Sequence, residues 1–193
     1  MDPVLTYHVV PIGTPEASAT VAQALQDQGH TKLQLKAGGR HIDEDIAAIH
    51  AVAKVIRPSV DLFVDCNRGW TVGEAIQVSQ ACKELTLAIE QPCATYAECV
   101  FARAHLRHPL LLDESATDLA TISQAIGTGV ADGFGIKLTR VGGISAMRAI
   151  RDLCEASSTP TSCDDSWGGD IIAAACVHVG ATLNPNLSRG AWI

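Results

Sequence analysis

One pattern constrains this chain more than any other: a short apolar run followed by a segment of helical periodicity, repeated from end to end. Strand candidates fall at 6–12 (TYHVVPI), 32–37 (KLQLKA), 61–66 (DLFVDC), 87–91 (LAIEQ), 109–113 (PLLLD), 133–138 (GFGIKL), 159–164 (TPTSCD) and 181–184 (ATLN). Helix candidates lie between them at about 15–28, 42–56, 71–83, 95–106, 117–126, 143–156 and 168–179, several opened by a Thr, Ser, Asp or Gly cap. Strict alternation of this kind implies parallel strands joined by right-handed crossovers. That leaves an open doubly wound sheet or a closed (β/α)8 barrel.

Polar residues separate the two. Lys36, Asp65, Glu90, Asp113, Lys137 and Asp164 each fall at or near the C-terminal end of a successive strand, the second to the seventh. In a barrel those ends converge on one mouth, where catalytic side chains sit, whereas an open sheet spreads them along an edge. The expected fold is therefore a (β/α)8-type TIM barrel. No Pro/Gly/Ser-rich linker or charge run divides the chain, so a single domain over 1–193 is expected. Such barrels take about 250 residues, and here the sequence stops within ten residues of the eighth strand candidate. The barrel is expected to be truncated at its C-terminus, without its closing helix.

Composition narrows the partners. A chain of 193 residues with 47% hydrophobic and 18% charged residues can bury a real core. A formal charge of −7 and no Lys/Arg run argue against nucleic acid or an anionic membrane, and favour a small-molecule substrate. No apolar run reaches transmembrane length and MDPVLTYHVV is unlike a signal peptide, so a cytoplasmic protein is expected, as a homo-oligomer. Seven cysteines, none in a C-x-x-C pair, read as reduced, core-filling thiols.

Asp65, Glu90 and Asp113 offer hard oxygen ligands from three neighbouring strand ends, a set that suits Mg²⁺. Lys36 and Lys137 flank them. A metal between two lysines suits removal of a proton from the carbon next to a carboxylate, with a partly desolvated lysine as base. This also explains why GFGIKLTRVGG sets one lysine in an apolar run: Lys137 faces the mouth while its neighbours fill the core.

The segments LQLKAGG, LFVDCN, AIEQPC, LLLDES and GFGIKLTRVGG resemble successive strand-end motifs of the enolase superfamily, in its mandelate racemase and muconate lactonizing branch. The order Lys36, Asp65, Glu90, Asp113, Lys137, at separations of 29, 25, 23 and 24, is highly specific. The resemblance implies Asp65, Glu90 and Asp113 as Mg²⁺ ligands, Lys36 and Lys137 as the acid/base pair, and an N-terminal α+β capping domain, which this chain is expected to lack. The branch usually carries K-x-K on its second strand; here Gln34 takes the first place. The Q-x-K form, TRVGG and CDDSWGGD resemble members acting on proline derivatives, the cis-3-hydroxy-L-proline dehydratases and the hydroxyproline-betaine 2-epimerases. In such members an acid after the seventh strand and an aromatic after the eighth hold the ring nitrogen, places taken by Asp164 and Trp192. Dehydration of an amino acid is the leading expectation, with epimerisation or an inactive barrel fragment as the alternatives.

Asn67, Gln91, Glu114 and Asp165, each one or two residues past a strand-end acid, are candidates to support the ligands by hydrogen bonds. Asp43, Glu44 and Asp45 read as the solvated first turn of a helix. His105 and His108 read as part of an outer helix rather than as ligands. Gly127, Gly129, Gly133 and Gly135 do not fit G-x-G-x-x-G, and no P-loop is present.

Overall fold

Continuous burial along short strands is what a parallel sheet covered by crossover helices demands. The computed structural model describes residues 4–165 and 168–191, which fall into two compact units, His8–Leu110 and Met1–Tyr7 with Leu111–Ile193. The first unit runs β1 (His8–Val10), α1 (Pro15–Asp27), β2 (Lys32–Lys36), α2 (Ile42–Val55), β3 (Asp61–Asp65), α3 (Val72–Ala81), β4 (Ala88–Glu90) and α4 (Tyr96–Arg103). Its strands pair in chain order, all parallel. Leu33, Gln34 and Leu35 of β2 are buried, as are Leu62, Phe63 and Val64 of β3.

The helices begin where the side chains provide for it. Thr14 caps α1 ahead of Pro15, which has no N–H to satisfy in a first turn. Thr71 with Glu74 and Thr95 with Glu98 form reciprocal capping boxes on α3 and α4. In α2 the buried residues Ile42, Asp45, Ala48, Ile49 and Val52 recur at helical spacing and make one inward face.

The strand β5 (Leu110–Leu112) leads into the second unit, where Leu111 and Leu112 pair with Gly133 and Phe134 of β6 (Gly133–Lys137). The helix α5 (Leu119–Thr128) lies between them in sequence, capped by Asp118. After β6 come α6 (Leu138–Val141), α7 (Ile144–Ala156), β7 (Thr161–Asp164) and α8 (Gly169–Gly180). The one-turn helix α6 is not anticipated by the sequence reading, which leaves residues 139–142 as a connection between strand and helix. It ends at Gly142 (φ 97°), and Gly143 (φ 112°) opens α7, so the Gly pair of TRVGG turns the chain twice through backbone angles that L side chains rarely adopt.

The expected eighth strand at 181–184 is not formed. Residues 181–183 wind out of α8, with the N–H groups of Ala181, Thr182 and Leu183 donating to Val177, Val179 and Gly180 carbonyls. Asn184 then accepts the Asn186 N–H on its side chain and turns the chain. The extended edge comes later. Thr161 N–H donates to the Leu187 carbonyl and Arg189 N–H to the Thr161 carbonyl, while Ala191 bonds Leu5 and Tyr7 on its other side. Both bridges are parallel. Among the described residues no helix is long and apolar enough to cross a membrane.

A buried polar lock ties α3 to the segment before β5. Ser79 Oγ lies 2.9 Å from His108 Nδ1, and His108 Nε2 lies 3.1 Å from the Cys82 carbonyl. A carbonyl only accepts, so Nε2 carries the proton and Nδ1 accepts from the Ser79 hydroxyl, which itself accepts the Arg107 N–H. His108 therefore stands outside α4 as a core residue. Burial holds its pKa below the usual 6.5, and burial with the neighbouring His30 does the same for His8. The unfolded chain then takes up protons at a higher pH than the native chain, so stability is fully present above about pH 6.5 and falls as the pH drops below it. Urea unfolding at about pH 7.5 and about pH 5.5 should show the lower midpoint in acid, and His108→Gln should remove part of that difference.

Candidate active site

Parallel pairing in phase brings chemically unlike residues level with one another. Lys36 at the end of β2 faces Asp65 at the end of β3, and Asp65 faces Glu90 at the end of β4. Asp65 and Glu90 are 1% and 3% exposed. Lys36 Nζ donates to Asp65 Oδ2 at 2.6 Å and to Asn67 Oδ1 at 3.1 Å, while the Asn67 N–H donates to Asp65 Oδ1 at 3.0 Å. Asn67 thus bonds both members of the pair. Gln34, one alternation earlier on β2, donates from Nε2 to Glu90 Oε2 at 3.2 Å. Gln91 is buried and donates to the Cys93 carbonyl and the Cys99 sulfur, pinning the turn that follows Glu90.

Among the described residues four non-glycine residues hold positive φ: Asn67, Arg68, Gln91 and Ser158. The first three lie within three residues after Asp65 or Glu90. Backbone strain of this kind costs on the order of 1–3 kcal/mol per residue and persists where surrounding structure enforces it. Here the enforcement is visible: Cys66, Arg68 and Trp70 donate their N–H groups to the carbonyls of Glu90, Gln91 and Pro92.

The second unit repeats the motif of lysine against acid. Lys137 at the end of β6 stands 3.2 Å from Asp113 Oδ2, and Arg140 donates to both Asp113 Oδ1 and the Asp113 carbonyl at 2.6 Å. Arg140 was absent from the sequence reading. The turn of α6 carries it there, since a residue three positions after Lys137 returns to the same side of a helix. Asp164 ends β7, buried at 2%, with the Ser162 hydroxyl donating to its carboxylate. The cap of α8 is Gly168, so Asp164 does not serve as its N-cap. Asp165 accepts the Thr139 hydroxyl at 2.5 Å, and Glu114 lies half-buried beside Asp113. Trp192 lies outside the described residues.

The acidic first turn of α2 requires a correction. Asp43 and Glu44 are exposed as expected, but Asp45 is fully buried and is the hub of the loops that follow β2 and β3. It accepts from Gly38 N–H at 2.8 Å, Arg40 Nε at 2.6 Å and Trp70 Nε1 at 2.8 Å. Arg40 reaches on to the Gly13 carbonyl in the loop after β1. Gly38 (φ +85°) sits so close to the next loop that a Cβ there would lie 2.7 Å from the Cys66 carbonyl oxygen. The missed signal was periodicity: Asp45 shares the face of Ile42, Ala48, Ile49 and Val52.

The donor chemistry fits a hard divalent cation. Two buried carboxylates on adjacent strands repel one another, and a divalent ion relieves that repulsion. The thiol of Cys66 registers the local field: burial first, then Asp65, Asp45 and Glu90, pushes its pKa well above the ordinary range. Among the described residues no three His, Cys, Asp or Glu side chains form a finished metal cage, so Asp65 and Glu90 are the pair on which the fit rests. All seven cysteines are free and buried, and burial pushes the Cys176 thiol up to about 11, away from the reactive thiolate.

Removing the hub tests its weight. Asp45→Ala leaves the Arg40 guanidinium, the Trp70 indole N–H and the Gly38 N–H without their shared acceptor. A loss of about 3–5 kcal/mol is expected, read from guanidinium unfolding.

A model of the enolase C-terminal domain-like family matches residues 16–192. The chain is 38% identical over 178 residues to the cis-3-hydroxy-L-proline dehydratase of Roseibium aggregatum, covering 92% of this chain and 48% of that protein. It is 31% identical over 193 residues to the L-Ala-D/L-Glu epimerase of Bacillus subtilis, covering 97% and 52%. A solved member of the enolase superfamily from Roseovarius nubinhibens ISM, complexed with magnesium, matches at a TM-score of 0.94 with 27% identity, over 99% of this chain and 52% of that one. The chain spans about half the length of the curated relatives it matches. With the family model matching residues 16–192, most of its length, the chain belongs to the enolase C-terminal domain-like family.

Proposed function

We propose that residues 1–193 are the barrel portion of a Mg²⁺-dependent lyase that converts cis-3-hydroxy-L-proline to Δ1-pyrroline-2-carboxylate and water. The observation that carries this reading is the pair of lysines at separate strand ends, each held against a strand-end carboxylate: Lys36 on Asp65 and Lys137 on Asp113. The named activity of the Roseibium aggregatum relative supports the choice of substrate. Asp65, Glu90 and Asp113 would hold the metal. When bound, Mg²⁺ supplies electrostatic stabilisation for the negative charge that builds on the substrate carboxylate.

The chain's own groups carry the proton movements. In cis-3-hydroxy-L-proline the hydroxyl and the carboxylate share a ring face, so the α-proton lies on the opposite face and elimination is anti. One lysine takes the α-proton from carbon 2. The other would have to act from the opposite face, giving a proton to the departing 3-hydroxyl, which leaves as water while the carbon 2–carbon 3 double bond forms. The enamine then tautomerises to the pyrroline. Lys36 and Lys137, with side chains 29% and 16% exposed, are sheltered yet reachable by a ligand. Asn67 and Asp65 hold the first, and Asp113, itself gripped by Arg140, holds the second. Asp164 supplies a buried carboxylate for the ring ammonium, and Trp192, outside the described residues, is its aromatic partner only by the resemblance.

The test is proton NMR of the chain with Mg²⁺ and cis-3-hydroxy-L-proline in D₂O. Substrate signals should fall as pyrroline signals grow, and chelation should stop the change until Mg²⁺ is returned. Lys137→Ala and Lys36→Ala should each lower the rate by about a hundredfold or more. Exchange of the α-proton without loss of water would replace this reading by epimerisation, the chemistry named for the Bacillus subtilis relative. No change at all would mean that the chain alone is inactive.

A further inference from the structure

We propose that Gln34 is a positioning residue for Glu90: an uncharged donor that aims the carboxylate while leaving its charge for a divalent cation. The inference rests on the Mg²⁺ reading above.

Gln34 is 3% exposed in the middle of β2, level with Val9 on β1 and Phe63 on β3. Its neighbours in register are apolar, so a leucine or methionine would fill the position at no polar cost. A buried amide instead needs partners. The partner it finds is not on an adjacent strand: Nε2 reaches past β3 to Glu90 Oε2 at the end of β4, at 3.2 Å. The alternation of β2 puts Gln34 on the same face as Lys36, one layer deeper, and Lys36 stands level with Asp65 and Glu90. Gln34 therefore holds Glu90 from beneath the layer of charged residues.

The choice of amide over ammonium has a direct consequence. Asp65 already accepts a cation, Lys36, at 2.6 Å. A lysine at position 34 would instead add a second positive charge beneath this layer of carboxylates. An apolar residue would leave Glu90 its charge but remove this donor from its Oε2. Glutamine alone of the three orients without neutralising. Groups that orient a metal ligand in this way typically change metal affinity by about 10- to 100-fold when removed.

Calorimetric titration of the chain with Mg²⁺ alone, without substrate, reads this directly. Gln34→Met, close in length and apolar, should weaken binding by about tenfold, and Gln34→Lys should weaken it further. The melting temperature of the metal-free variants separates folding from binding. If Gln34→Lys does not fold, Gln34→Met still decides the matter. In a Glu90→Gln background, Gln34→Met should cost no further affinity, because the group it orients is gone. Mg²⁺ affinity within about twofold of wild type in Gln34→Met overturns the inference and leaves the Mg²⁺ reading standing. A wild-type chain that takes up no Mg²⁺ overturns both.

Discussion

The candidate site depends on the phase of parallel pairing. In a parallel ladder residues in register point to the same face, and the pleat returns to that face every second residue. Lys36, Asp65 and Glu90 share one level because β2, β3 and β4 pair without slip. A shift of one residue in any of these strands would turn its charged side chain to the opposite face and bring an apolar one to this level. The apolar runs preceding each charged residue guard against that slip, since Leu33, Leu35, Leu62 and Val64 are all buried where they stand.

Burying carboxylates opposes stability, and the surroundings show how the cost is met. Asp65 has Lys36 and the Asn67 amide; Asp113 has Lys137 and Arg140; Glu90 has the Gln34 amide. Behind these, Asp45 gathers three donors and joins the loops after β2 and β3 without facing any ligand. Its burial is accounted for by those three donors alone. The positive-φ residues Asn67, Arg68 and Gln91 belong to the same arrangement, because the chain turns sharply just after each of these two strand ends.

Much of this was legible in the chain. Strands one to seven and all seven expected helices formed within a few residues of their expected bounds. The charged residues named as strand-end groups stand at or beside strand ends. The misreadings share a cause: short-range pattern is ambiguous where the decisive partner is distant in sequence. ATLN reads as a strand by composition, but the carbonyls of the end of α8 claim its N–H groups and leave residues 187–191 to bond β7. Asp45 reads as a surface acid among acids because its partners, Arg40 and Trp70, lie in two different loops. Arg140 was hidden by a helix of four residues that no periodicity test resolves.

Sequence alone determined the alternation of strands and helices, the identity of the acids and lysines, and the family to which they belong, because apolar spacing and residue order are local or directly countable. The tertiary structure decided which of those charges meet. That Lys36 pairs with Asp65, that Gln34 reaches Glu90 rather than an adjacent strand, and that Asp45 is a buried hub follow from register and loop packing. These are set by contacts between residues from five to 56 positions apart, and no local propensity encodes them.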